Sequence, residues 1–271
     1  LPPATASEGA TSDVRIAIDP ARRYQDIIGF GASVTDSSAW LIQRRMGADQ
    51  RNALLRELFG RDGGIGLSFT RTTIGASDFS LNHYSLDDPP RGKADRKLRH
   101  FRIAPQTQDV FTVVRAARAI NPQLQTMASP WSAPAWMKSG GSMIKGTLRE
   151  DAYDAFARYL LKYVDAAASK GVPIFALTVQ NEPSFEPENY PGMRLSADQR
   201  IALIGRHLGP LLKASGRDVR ILDWDHNWDM PEEPTAVLSD PEASAYVDGV
   251  AWHCYGGDIA AQSLVQARFP S

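Results

Sequence analysis

Ile174-Phe175-Ala176-Leu177-Thr178-Val179-Gln180-Asn181-Glu182-Pro183 is the stretch on which the fold reading turns. Its apolar run from Ile174 to Val179 is too short for a helix and reads as a buried strand. It then breaks into two amides, a carboxylate and a proline, so the strand delivers polar groups at its carboxyl end and the chain bends away. Working outward, the same event recurs. Ile27 to Ser33, Leu67 to Ile74, Leu124 to Ala128, Val219 to Trp224 and Gly249 to Trp252 read as strands. Helical segments lie between them. Asp151 to Lys170 places Tyr153, Phe156, Ala157, Leu160, Leu161 and Val164 on one apolar stripe, with Gly171 where a C-terminal cap belongs. A second helix starts near Ser196, with Gln199 completing a capping box, and carries Ile201, Ile204, Leu208, Leu211 and Leu212. A third covers Gln108 to Ile120.

About six strand–helix alternations predict an α/β fold with a mainly parallel sheet. Pattern alone leaves a barrel and a doubly wound sheet both open. Gly29-Phe30-Gly31 lacks the third glycine of a dinucleotide fingerprint. Asp78, Trp131, Glu182, Asp225 and His253 all follow strands, and a barrel spreads its chemistry over several strand ends in this way. That distribution favours the barrel over the doubly wound sheet. Val14 to Ile18 alternates like an edge strand closed by Asp19-Pro20.

Bulk properties set bounds. A chain of 271 residues, 43% hydrophobic, can bury one large core. A net charge of −1 gives no footprint for nucleic acid or a membrane surface. No apolar run approaches the roughly 20 residues that span a bilayer. Cys254 is the single cysteine, which excludes an internal disulfide; its default reading is a small buried hydrophobe. The opening Leu-Pro-Pro-Ala-Thr-Ala-Ser-Glu-Gly reads toward a secreted or periplasmic protein.

Four places carry candidate chemistry. Glu182 beside Asn181 suits a general acid, because burial favours a neutral carboxyl; a strand-end Glu capping the next turn is the plainer reading of a bare Asn-Glu-Pro. In Ala128-Ser129-Pro130-Trp131-Ser132-Ala133-Pro134-Ala135-Trp136-Met137-Lys138, two tryptophans suit a wall for sugar stacking, or simply the core. In Ala251-Trp252-His253-Cys254-Tyr255-Gly256, alternation sends His253 and Tyr255 toward the same side. Arg71 and Asp78 flank the second strand and would form a structural ion pair if buried, or position a hydroxyl in a cleft. Asp223, Asp225, His226 and Asp229 could suggest a metal site, but the spacing matches no ligand motif, and a polar turn-rich loop is the reading preferred.

Four strings occur here in the order found in family 30 glycoside hydrolases. They are Ile28-Gly29-Phe30-Gly31-Ala32-Ser33-Val34-Thr35-Asp36, Ala128 to Lys138, Gln180 to Pro183, and Trp252-His253-Cys254-Tyr255. From about residue 25 onward the chain resembles the glucosylceramidase-like and β-1,6-glucanase branch. The resemblance implies a (β/α)8 TIM barrel over residues 25–271, here incomplete at about six βα units, with residues 1–24 giving the N-terminal part of an attached β-sandwich. It implies Glu182 as acid/base of a retaining β-glycosidase, with Asn181 on the sugar 2-hydroxyl. Asp78 and Trp131 would hold the sugar, His253 and Tyr255 would stand beside the reacting centre, and Arg71 would bias the carboxylates. The family's nucleophile, a Glu on the seventh strand, is expected beyond Ser271, and the chain is expected to be a piece of a longer enzyme. Glu186, Glu188 and Asp225 do not match that nucleophile.

The implied substrate is a β-glucoside, either β-1,6-glucan or a glucosylceramide-like glycolipid, with no cofactor, metal or nucleic acid. Trp252 to Asp258 leans the resemblance toward the glucan enzymes. A carbohydrate-binding barrel without catalysis and a metal-dependent hydrolase remain as alternatives.

Overall fold

The structure, a computed structural model, describes residues 17–270. Six strands alternate with helices along the chain. They are β1 (Gly31–Ser33), α1 (Asp36–Arg44), α2 (Ala48–Phe59), β2 (Phe69–Ile74), α3 (Pro105–Ile120), β3 (Gln125–Pro130), α4 (Tyr153–Ser169) and β4 (Ala176–Thr178). The chain continues with α5 (Ala197–Ala202), α6 (Gly209–Ser215), β5 (Arg220–Asn227), α7 (Glu232–Ser239), α8 (Pro241–Ser244), β6 (Val247–His253) and α9 (Ala260–Arg268).

All five neighbouring strand pairs are parallel, and the spatial order β1-β2-β3-β4-β5-β6 repeats the sequence order. That order separates the two architectures left open by the pattern. A doubly wound sheet reverses its order at a switch point, whereas a barrel adds each strand beside the last. The sheet is a curled part of a barrel.

The helices bury one face against it. Val110, Val113, Val114 and Ala117 of α3, and Phe156, Leu160 and Val164 of α4, are fully enclosed. Each such large side chain contributes roughly 1.5–3 kcal/mol of transfer free energy. Tyr159 and Tyr163 of α4 are enclosed as well, since their hydroxyls find partners: Tyr159 Oη accepts from the Leu86 amide at 3.2 Å, and Tyr163 Oη meets Thr72 Oγ1 at 3.2 Å. The Ser196 box forms as its sequence predicts, with the Gln199 amide donating to Ser196 Oγ and the Ser196 amide donating to Gln199 Oε1. Beyond it, Leu203–Leu208 winds as a π-helix before α6. A Cβ on Gly209, just after it, would lie 2.2 Å from the Tyr246 ring, so this glycine admits the contact between α6 and the segment before β6.

Several boundaries differ from the sequence reading. β1 begins at Gly31 rather than Ile27, because it pairs only with β2 and residues Ile27, Ile28 and Phe30 stay exposed. A Cβ at Gly31 would fall 1.6 Å from the Phe69 carbonyl oxygen, so glycine sets how closely these two strands approach. β4 is three residues long, and β6 runs from Val247, two residues earlier than expected. Most of the edge strand expected at Val14 to Ile18, and most of the sandwich segment 1–24, lie outside the described residues. Residues 17–30 carry a turn at Pro20-Ala21 and no strand. Cys254 is exposed rather than buried, because it follows the last residue of β6.

β5 carries the irregularity that builds the site. Trp224 pairs with Ala251 and His226 with Trp252, leaving Asp225 as an extra residue. Trp224 and Asp225 both have positive φ, at 75° and 52°. This is a β-bulge, and bulges re-aim side chains. Without it, Asp223 and Asp225 would share a face. With it, Asp223 turns out to α5, where Arg200 Nε donates to it at 2.9 Å with both side chains enclosed, and Asp225 turns inward.

Candidate active site

The carboxyl ends of the strands surround a cleft of about 790 Å³. Arg71, Asp78, Trp131, Asn181, Glu182, His253 and Tyr255, the seven residues singled out in the sequence, all line it. They come from β2, the segment after β2, the end of β3, the segment after β4, the end of β6 and the segment after β6. Phe79 and Tyr190 join them, and no local signal in the sequence marks either one.

Glu182 sits past the end of β4 with φ at +49°, a left-handed backbone that costs a non-glycine residue of order 1–3 kcal/mol. Its amide donates to the Asp225 carbonyl at 3.0 Å, which holds the strained residue against the β5 bulge. The Asn181 amide donates to the Pro130 carbonyl at 2.8 Å. Two backbone bonds to neighbouring strands thus fix the Asn-Glu pair as part of the barrel wall.

Asp225 is the hub beneath the cleft. Its Oδ2 accepts from Arg71 at 2.6 Å and from Thr178 Oγ1 at 2.7 Å, and its Oδ1 faces His253 Nε2 at 3.0 Å. Arg71 also donates to Asn181 Oδ1 at 2.8 Å and to Ser129 Oγ at 3.2 Å, and its guanidinium covers the Trp131 ring at 4.7 Å. One cation therefore orients the amide, the aromatic wall and the buried carboxylate together. Of the two readings of Arg71 and Asp78 that the sequence left open, the ion pair does not form: the partner of Arg71 is Asp225, 154 residues away. Asp78 lines the cleft separately. Burial raises its pKa, the neighbouring charge of Glu182 adds to the rise, and Arg71 opposes it.

Burial disfavours the charged form of Asp225, but the Arg71 charge and the hydrogen bonds from His253 and Thr178 outweigh it, holding the carboxyl below the usual carboxylate range. His253 bridges two carboxylates, with Nδ1 at 3.0 Å from Glu182 Oε1 and Nε2 on Asp225. With Asp225 charged, two arrangements satisfy both contacts: a doubly protonated ring between two carboxylates, or a neutral ring facing a protonated Glu182. Either way the Glu182–His253 contact holds one proton.

Burial works against a charged His253, yet its hydrogen bonds to Asp225 and Glu182 carry its pKa up to about 9. A raised folded-state value stabilises fully below the unfolded value near 6.5, and that contribution fades as pH rises through about 9. The protein is expected to lose on the order of 3 kcal/mol between about pH 6.5 and 9 from this group. Denaturant unfolding at several pH values checks it, and the slope should be missing in His253→Gln.

Two further expectations are revised. Trp136 does not share the wall with Trp131; its Nε1 donates to Asp87 Oδ2 at 2.9 Å, away from the cleft. The Asp223 to Asp229 run, read as a polar turn-rich loop, instead lies in β5 as far as Asn227, and its acids part there: Arg200 holds Asp223 on the outer side and Arg71 holds Asp225 within. Among the described residues the His/Asp/Glu group close enough to share an ion is instead Glu182, His226 and His253.

Comparison with known proteins gives consistent matches. Residues 27–270 match the family model described as the glycosyl hydrolase family 30 TIM-barrel domain. The endo-1,6-beta-D-glucanase of Neurospora crassa is 37% identical over 262 residues, covering 94% of this chain and 54% of that protein. The lysosomal acid glucosylceramidase of Mus musculus is 31% identical over 251 residues, covering 89% and 48%. Among solved structures, an endo-beta1,6-glucanase superimposes with a TM-score of 0.87 at 31% identity, covering 93% of this chain and 57% of that one. The chain spans about half the length of the curated relatives it matches.

Proposed function

The chain belongs to glycosyl hydrolase family 30, and from that premise we propose that it forms part of a retaining β-glycosidase whose acid/base is Glu182 and whose substrate is β-1,6-glucan. The observation that carries the proposal is the position of Glu182 at a strand end, strained, facing a cleft whose polar groups are fixed from beneath by Arg71 and Asp225. In the first step Glu182 gives its proton to the glycosidic oxygen as that bond breaks, and a second carboxylate bonds to the anomeric carbon. In the second step Glu182 takes a proton from water, whose oxygen displaces that carboxylate and restores the original configuration.

Double displacement needs the two carboxyls roughly 5 Å apart. Asp225 is enclosed and committed to Arg71, so it is not free to attack. On this reading the nucleophile belongs to the half of the relatives' length that this chain does not span. Asp78 and Asn181 would bind sugar hydroxyls, Trp131 would face the ring, and Tyr255 and His253 would close the cleft beside the leaving group. No helix of the described residues is long and apolar enough to cross a membrane.

Support for the glucan comes from the relatives' names and from the rim, where the exposed rings of Phe79 and Tyr255 offer flat faces to successive sugars. A second reading, glucosylceramide, is favoured by one observation: Leu41 joins Phe79 on the rim as exposed apolar surface that an acyl chain could cover. Reducing-sugar release from β-1,6-glucan, with β-1,3- and β-1,4-glucans and glucosylceramide micelles alongside, tests the assignment in the enzyme carrying this sequence. Release from the β-1,6-polymer above all others is expected. Cleavage of glucosylceramide alone would replace the substrate and keep the chemistry.

A further inference from the structure

We propose that Glu182, His226 and His253 form a binding site for a first-row divalent cation of borderline softness, Zn²⁺ or Cu²⁺, and that the bound ion inhibits by occupying the carboxylate assigned above as acid/base. The inhibition rests on that assignment, whereas the binding does not. The three side chains come from the ends of β4, β5 and β6, and one ligand atom of each lies within 4.8 Å of the other two. Two imidazoles and one carboxylate are a ligand set that Zn²⁺ accepts with a fourth position left open to water. Zn–N and Zn–O bonds of about 2.0–2.2 Å bring ligand atoms closer than this, which small side-chain rotations supply.

Three independent features point the same way. Asp225 Oδ1 backs His253 Nε2 at 3.0 Å while Nδ1 faces Glu182. A carboxylate behind a ligating imidazole fixes its tautomer and orientation, and metal sites are built with this outer partner. His226 has its Nδ1 buried with no hydrogen-bond partner, an arrangement that costs about 1–3 kcal/mol unless something satisfies it. The ring cannot simply turn to solvent, because it packs against Trp224 at 5.2 Å and His253 at 6.2 Å between centroids. Charge favours a cation too: the Glu182, Asp229 and Asp225 carboxylates act on His226, and the Arg71 guanidinium is already paired with Asp225.

The β5 bulge creates the arrangement by inserting Asp225 between Trp224 and His226. On binding, the proton held between Glu182 and His253 passes to solvent, and metal–oxygen and metal–nitrogen bonds take its place. No electron is transferred. Mg²⁺ and Ca²⁺, which prefer oxygen ligands, are poor occupants of a site with two nitrogen donors.

Calorimetric titration of this chain with zinc chloride, together with ¹⁵N-imidazole spectra of the five histidines, tests the proposal. One equivalent should bind, and the ring signals of His226 and His253 should move while those of His83, His100 and His207 stay. Loss of an outer partner alone weakens metal sites roughly 10–100-fold, so loss of a ligand in His226→Asn should weaken this one by at least about 100-fold. Zn²⁺ binding that shifts the other histidines, no saturable binding, or unchanged affinity in folded His226→Asn would overturn it. Should that variant not fold, the wild-type spectra decide. Because no turnover is measured, the result is separate from whether the enzyme cleaves β-glucosides.

Discussion

Glu182→Gln should lower kcat on β-1,6-glucan by roughly 10²–10⁴-fold, the range that a positioned general acid supplies. The substitution keeps volume and shape, and Gln Oε1 can still accept from His253 Nδ1, so the wall of the cleft stays in place. What it removes is the proton. A glucan leaves as a poor alkoxide and needs that proton, whereas an activated aryl β-glucoside leaves without it. The variant should therefore form the glycosyl-enzyme from the aryl substrate and stall at hydrolysis, since water also loses its base. Added azide, a nucleophile that needs no base, should restore turnover and yield the β-glucosyl azide. A variant with full activity on glucan, or one that azide does not rescue, would remove Glu182 from the acid/base role.

Asp225→Ala should cost about 3–5 kcal/mol of folding free energy, the penalty for leaving half of a buried ion pair alone. Arg71 would lose its 2.6 Å partner and face the cleft floor uncompensated, Thr178 would lose its acceptor, and His253 would lose the oxygen that orients Nε2. At about 2–4 °C per kcal/mol for a domain of this size, the unfolding midpoint should fall by on the order of 10 °C. Asp225→Asn separates charge from shape, because it keeps the volume and one acceptor; it should fall between the wild type and the alanine variant. The acid side of the pH profile carries the same information. Asp225 has a depressed folded-state value, so its contribution is present above the ordinary carboxylate range and is lost as pH falls through it. A midpoint unchanged in Asp225→Ala would show that the hub does not hold the site.

Much of the site is legible in the amino-acid order. Asn181 and Glu182 stand at the end of an apolar strand, where a bare Asn-Glu-Pro reads more plainly as a turn cap; only the four strings in family order single them out. His253 and Tyr255 both line the cleft, though strand alternation, which sends i and i+2 to one side, reaches only His253, because β6 ends there and Tyr255 lies in the segment after it. The same rule fails at Asp223 and Asp225, where an extra residue in β5 flips one relative to the other. Trp136 departs from expectation for a related reason: the short helical turn Ala135–Met137 follows β3 and carries it off to Asp87.

The local layer is written in the chain itself: six alternating strands and helices, the Ser196 cap, the apolar stripe of α4, and polar residues at strand ends. These follow from spacing and capping, which act over a few residues. Only the tertiary structure decides that Arg71 belongs to Asp225, that His253 spans Glu182 and Asp225, and that His226 stands beside Glu182. Those pairings join residues 28 to 154 positions apart, and they exist because a parallel sheet lays distant strand ends side by side. A bulge with two left-handed residues then aims one carboxylate inward, and no periodicity in the chain records it.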